Sequence, residues 1–324
     1  MSKRDFIFSV LDNKPTDRVP VGFWFHFVPD GLKEYTPENI RKNLEGHKKF
    51  YEAFQPDLLK IMSDGFFVYP NDTISGIKTP EDLNSVKASH PEKWIQDQID
   101  LVKELVGLYG NEVVTLYNIF APATYLWWGL EAGNSPVTVE QAARENPEGL
   151  KHALEEIASD IRDLAVRAIT EGGADGIYLS VRNIQGTEKE KYLKYVAPGE
   201  LEILNAANGH SEYNVLHICG YAGYKNDLTV YTDYPAKAFN WAVTTENVSL
   251  AEGKKLFGGR AVIGGFDHTT NGVLYKGTRE EIEKETGEIL KNAGNTGVMI
   301  GADCTVPADI DISHLQWVRE KAGA

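Results

Sequence analysis

Asn214-Val215-Leu216-His217-Ile218-Cys219-Gly220 reads as a buried strand that ends in two metal-type side chains. Residues i and i+2 of a strand point to one face, so His217 and Cys219 project together while Ile218 points the other way. Imidazole and thiolate are the ligand types that zinc prefers. The chain has 2 cysteines, and the second ends another apolar run, Val298-Met299-Ile300-Gly301-Ala302-Asp303-Cys304. A fold that brings Cys304 beside His217 and Cys219 makes a three-ligand site with one position open, which is the arrangement of catalytic rather than structural zinc. Buried cysteines also serve as small apolar side chains, and His-x-Cys is a short motif. The fold has to separate these two readings.

Similar runs lie on both sides of this stretch. Val19–Phe27, Leu58–Asp64, Val113–Ile119, Gly176–Val181, Asn214–Gly220, Ala238–Val243, Ala261–Phe266 and Gly297–Asp303 are rich in β-branched, aromatic or other apolar residues, and glycine, proline and aspartate punctuate them. Between them lie helical patterns, among them residues 3–13, 92–108, 149–171 and 279–293. Thr278 and Glu281 open the last of these as a capping box. Eight strands, each followed by helix-forming sequence, predict an α/β fold, a (β/α)8 TIM barrel. No linker rich in Pro, Gly or Ser interrupts the pattern, so residues 1–324 are expected to form a single domain.

A barrel of this kind carries its active site at the C-terminal ends of its strands. His217 and Cys219 end the fifth predicted strand and Cys304 follows the eighth, so all three fall on that rim. Asp64, Asn118, Arg182, Asp267 and His268 fall there by the same count, and His26 ends the first run. Asp303, directly before Cys304, and Asp267 are candidate bases; each could equally be a carboxylate bonded to a rim loop. Arg182 is a candidate grip for an anionic substrate tail and Asn118 a candidate polar contact. The cluster Tyr125-Leu126-Trp127-Trp128 suits either a partner interface or the packing of an excursion helix.

The formal net charge of −14 disfavours nucleic acid as a partner, which needs a basic stripe. Much of the acid reads as solvated helix surface, as in Arg279-Glu280-Glu281-Ile282-Glu283-Lys284-Glu285. No apolar run reaches the ~18 residues of a membrane span, and the start, Met1-Ser2-Lys3-Arg4-Asp5, lacks the features of a signal peptide. Two distant cysteines make no disulfide framework. These features predict a cytoplasmic protein with no membrane partner.

Asp17-Arg18-Val19-Pro20-Val21, Gly173-Ala174-Asp175-Gly176 and His217-Ile218-Cys219-Gly220, in that order, resemble the uroporphyrinogen decarboxylase superfamily. The decarboxylases of that superfamily carry an arginine-rich segment after the first strand, to grip a substrate with eight carboxylates. Here Gly22-Phe23-Trp24-Phe25-His26-Phe27-Val28-Pro29-Asp30 contains no arginine, so the main counter-charges are missing. His217, Cys219 and Cys304 instead match the zinc ligands of the corrinoid methyltransferase branch, which includes the methylcobamide:coenzyme M methyltransferases. The resemblance implies a Zn2+ cofactor and an enzyme that moves a methyl group from methylcobamide, carried on a partner corrinoid protein, to a small-molecule acceptor. That acceptor is a thiol such as coenzyme M, or another compound such as tetrahydrofolate. Cobalamin-independent methionine synthase has a related site with an added glutamate, a part that Glu246 would take. The alternative is a decarboxylase of a small or tetrapyrrole carboxylate, built on Arg18, Arg182 and Asp64.

Overall fold

The computed structural model describes residues 1–323. Seven parallel strands run in chain order across one sheet: β1 (Leu58–Ile61), β2 (Val114–Phe120), β3 (Gly176–Val181), β4 (Val215–Ile218), β5 (Ala238–Trp241), β6 (Ala261–Phe266) and β7 (Val298–Ala302). Helices cover the outer face and α1 (Lys3–Leu11) plugs the lower end, so the strands are buried on both sides. That burial explains why they read as apolar runs rather than as alternating ones.

The sheet curls through 241° and stops with its edges 9 Å apart. The expected closed barrel of eight strands is therefore corrected to an open half-barrel of seven. The gap is about two strand spacings of ~4.8 Å, the width of one strand. Val19–Phe27, expected as the first strand, lies in it without forming a ladder. It makes isolated parallel bridges from Val21 to Ile300 and from Phe25 to Val306. Gly22 N donates to Ile300 O at 2.9 Å, and Ile300 N to Pro20 O at 2.9 Å. Pro20 has no N–H to extend the pairing. Towards β1, the Val21 N–H goes to the Asp57 carboxylate at 2.9 Å rather than to a strand carbonyl. Arg18 clamps the same carboxylate at 2.7 and 2.9 Å. A side chain thus takes the place of the missing ladder.

α1 opens with a capping box of Ser2 and Asp5. It inserts Phe6, Ile7, Val10 and Leu11 among inward side chains such as Leu58, Val114, Val215 and Ala238, and so fills the lower half of the curl. The bidentate Arg4–Asp175 pair, at 2.5 and 2.8 Å, ties it to the foot of β3. With the bottom filled, the cavity inside the curl lies at the C-terminal ends of the strands. The predicted helices form as Glu92–Tyr109, Pro147–Thr170 and Arg279–Ala293, the last with its Thr278–Glu281 box. Helix Pro37–Phe54 buries Asn43 and His47 behind the end of β1. His47 Nε2 accepts the Met62 N–H at 2.9 Å, and Asn43 donates to the carbonyls of Met62 and Asp64 at 2.8 and 3.2 Å. Burial lowers His47 to about 4, so it is neutral, as this bonding requires.

A second buried polar cluster lies behind β3. Glu200, on helix Ala197–Asn208, accepts hydrogen bonds from Tyr192 at 2.8 Å and Tyr234 at 2.5 Å. Tyr231 in turn donates to Tyr192 at 3.2 Å. Among the described residues, no helix is long and apolar enough to cross a membrane.

A candidate metal centre at the strand ends

Alternation along β4 turns His217 inward, and the Cys219 N–H continues the pairing by donating to Val181 O at 2.8 Å. Cys219 therefore faces the same way as His217. The chain then leaves the sheet at Gly220, where a Cβ atom would stand 2.3 Å from the Cβ of Ala242, so only glycine fits. Cys304 follows β7 and turns in from the opposite side.

The three ligand atoms lie within 4.8 Å of one another. Cys219 Sγ is 4.0 Å from Cys304 Sγ, and Cys304 Sγ is 3.7 Å from His217 Nε2. Tetrahedral bonds of ~2.3 Å to sulfur and ~2.05 Å to nitrogen put these separations at ~3.8 and ~3.6 Å. The donor set fits one small soft cation once the third separation, Cys219 to His217, at most 4.8 Å, closes to the same ~3.6 Å. Between the sulfurs, Cys304 donates to Cys219, which draws Cys219 down to about 7 and pushes Cys304 up to about 11. A divalent cation would take the place of that shared proton.

Asn240 on β5 orients the imidazole. Its Nδ2 donates to Ile263 O at 2.8 Å and Ala302 O at 3.3 Å, so its Oδ1 must face His217, where it accepts from Nδ1. The proton is thereby fixed on Nδ1, and Nε2 presents its lone pair to the sulfurs. If a divalent cation binds here, replacing Asn240 with alanine is expected to weaken its binding by about 10- to 100-fold, the usual size of such supporting contacts; competition with a chromophoric chelator measures it.

All three residues line a cavity of about 250 Å³ at the top of the half-barrel. Aromatic side chains wall it. Trp128 stacks on Phe67 at 4.7 Å, and Arg182 lies over Trp127 at 4.0 Å and Tyr224 at 4.6 Å. Arg182 has no carboxylate partner among the described residues, so its guanidinium edge is free for a ligand. Asn118 lines the floor and donates to Ser63 Oγ at 3.1 Å. Of the Tyr125–Trp128 cluster, both tryptophans form the wall, while Tyr125 is buried in the outer core.

Other residues expected at the site lie outside the cavity lining. The Asp303 carboxylate accepts from Val243 N and Thr244 N, each at 2.9 Å, and from Thr244 Oγ1. Burial raises it to about 6. Asp267 bonds the Thr269 N–H at 2.8 Å in its own turn. Glu246 holds Asn226, whose side chain donates to Cys219 O at 3.1 Å, so it supports the ligand loop from behind. His268 is buried with Nδ1 unpaired. Arg18 is committed to Asp57, and Asp64 is fully buried, accepting from Phe27 N, Val28 N and His26 Nδ1. The three residues of a decarboxylase site are thus apart, and only Arg182 lines the cavity.

Two lining residues carry chemistry that the sequence reading underweighted. His26 reaches the cavity with Nδ1 bound to Asp64 at 2.9 Å, leaving Nε2 as its free basic atom. Lys60, inside the apolar run of β1, points into the cavity floor, and burial lowers it to about 8. A lysine between Leu58 and Met62 on one strand face was the available signal.

The model of the uroporphyrinogen decarboxylase (URO-D) family matches residues 70–323. Among solved structures, a methyltransferase from Methanosarcina mazei aligns with a TM-score of 0.74 at 15% identity, covering 100% of this chain and 98% of that one. A B12-independent methionine synthase from a Shewanella species, in complex with selenomethionine, aligns with a TM-score of 0.57 at 14% identity, covering 94% and 95%. At these identities the likeness is one of fold. No curated protein sequence matches the chain.

Proposed function

The chain belongs to the uroporphyrinogen decarboxylase family, and we propose that it is a zinc-dependent methyltransferase that passes a methyl group from a methylated corrinoid protein to a thiol held in the cavity. The observation that carries this reading is the convergence of His217 Nε2, Cys219 Sγ and Cys304 Sγ on one point of the cavity floor. A decarboxylase has no use for that set, and its own candidate residues are dispersed. The fold likeness to a methyltransferase and a methionine synthase is in keeping with the proposal.

Zinc bound by these ligands supplies the chemistry of lowering a thiol's pKa while leaving its sulfur nucleophilic. The side chains of the protein do the rest. His26 Nε2 accepts the proton that the thiol loses, and Asp64 fixes the ring by holding Nδ1–H. Arg182 pairs with an anionic acceptor tail, its plane held by Trp127 and Tyr224. Asn118 offers a polar contact on the floor. Phe67, Phe120 and Trp128 keep water from the reacting sulfur. The acceptor sulfur forms a bond to the methyl carbon, the cobalt–carbon bond breaks with its electron pair on cobalt, and a thioether and Co(I) result.

The test is methylcobalamin consumption by the zinc-loaded protein, followed at the Co(I) absorption, against a panel of thiols including coenzyme M, with tetrahydrofolate alongside. Turnover with at least one thiol is the expected result, and consumption with none overturns the reading. Arg182→Met is expected to raise KM about 10- to 100-fold for anionic thiols and to leave neutral ones nearly unchanged.

A further inference from the structure

Of the two lysines that line the cavity, Lys33 pairs with Glu131 at 2.7 Å, whereas no hydrogen bond or ion pair to a described residue holds Lys60. Its Nζ instead lies 4.2 Å from the ring centre of Tyr178 and 5.0 Å from that of Trp24. The Trp24 Nε1 and Tyr178 Oη atoms also lack partners, and the cation sits against aromatic faces with no hydrogen-bond acceptor among the described residues. Such faces attract a cation without cancelling its charge. Leaving an ammonium unpaired in an apolar interior is costly, and Lys60 lines the same cavity as Cys219 and Cys304.

A divalent ion, two thiolates and a neutral imidazole sum to zero. An acceptor thiolate therefore brings one negative charge into the cavity, which stands uncompensated once His26 has passed the thiol's proton to solvent. We propose that Lys60 is the internal counter-cation for that thiolate, a positioning residue that sets the affinity of the cavity for an ionised sulfur. The proposal rests on the thiol-acceptor reading above. It deepens that reading by separating two anion sites: Arg182 on the wall for the tail, and Lys60 on the floor for the sulfur itself. It follows that even a thiol with an uncharged tail depends on Lys60.

The experiment uses the cobalt(II)-substituted protein and 2-mercaptoethanol, whose tail is neutral, with sulfur-to-cobalt charge-transfer absorption as the readout. Wild type is expected to show a thiol-dependent band. In Lys60→Met the thiol affinity is expected to fall about 10- to 100-fold, the reach of a nearby unit charge at an effective dielectric of ~20, with cobalt occupancy unchanged. Lys60→Arg is expected to restore most of it, which a merely space-filling role would not produce. Should Lys60→Met fail to fold, Lys60→Gln serves for the same comparison. A neutral variant that binds 2-mercaptoethanol like wild type overturns the Lys60 assignment alone. A wild-type protein that binds cobalt but shows no thiol band overturns the thiol-acceptor reading, and this inference with it.

Discussion

Replacing Cys304 or Cys219 with alanine is expected to abolish metal retention, from about one zinc per chain to none after dialysis. Zinc held by four ligands has an apparent binding free energy of ~10–16 kcal/mol, or ~2.5–4 kcal/mol per ligand. Loss of one sulfur therefore costs about 10²- to 10³-fold in affinity. Elemental analysis of purified protein reads the occupancy, and a chelator titration reads the constant. Methyl transfer to thiols is expected to vanish in parallel, while the fold survives, because the outer core does not depend on either sulfur. Variants that keep both the metal and full activity would dissociate these cysteines from the chemistry.

The second large effect concerns pH. Burial raises Glu200 from its ordinary 4.5 to about 7, although Tyr192 and Tyr234 both donate to it. The folded chain therefore holds a proton that the unfolded chain has already lost between these values. Stability from this group is fully present below about 4.5 and is lost as pH rises through about 7. Its size is about 3 kcal/mol. His47, lowered to about 4, works the other way, adding stability as pH rises from about 4 to its ordinary 6.5. Between pH 5 and pH 8 the two effects largely offset one another in the wild type, so urea unfolding is expected to show Glu200→Gln, which stays neutral, gaining about 2–3 kcal/mol on the wild type towards the alkaline end. A wild-type profile indifferent to Glu200→Gln would mean that the carboxyl ionises without penalty in the folded protein.

The meeting of His217, Cys219 and Cys304 was legible because it rests on two robust periodicities. His217 and Cys219 share a face by strand alternation, and Cys304 joins them because β4 and β7 both end at the same rim. The failures have equally physical causes. Val19–Phe27 has the composition of a strand, but composition reports burial on two faces, not whether a neighbour's backbone is in reach. Pro20 and the Asp57 carboxylate decide that locally. Asp303 was placed at the correct height and given the wrong direction. Cys304 points inward, so alternation turns Asp303 away, onto Val243 and Thr244. Lys60 went unread because a lysine inside an apolar run resembles an interruption until the curl of the sheet shows that its face is interior.

The missing strand has a mechanical result. Cys304 follows β7, a margin of the curled sheet, whereas His217 and Cys219 belong to β4 at its centre. Peptide pairing holds the middle strand on both flanks, while beyond β7 there are only scattered bridges. An ion gripped by all three residues would thus tie a loosely moored border to a firmly moored middle, and loading it would stiffen the protein where its own backbone leaves slack.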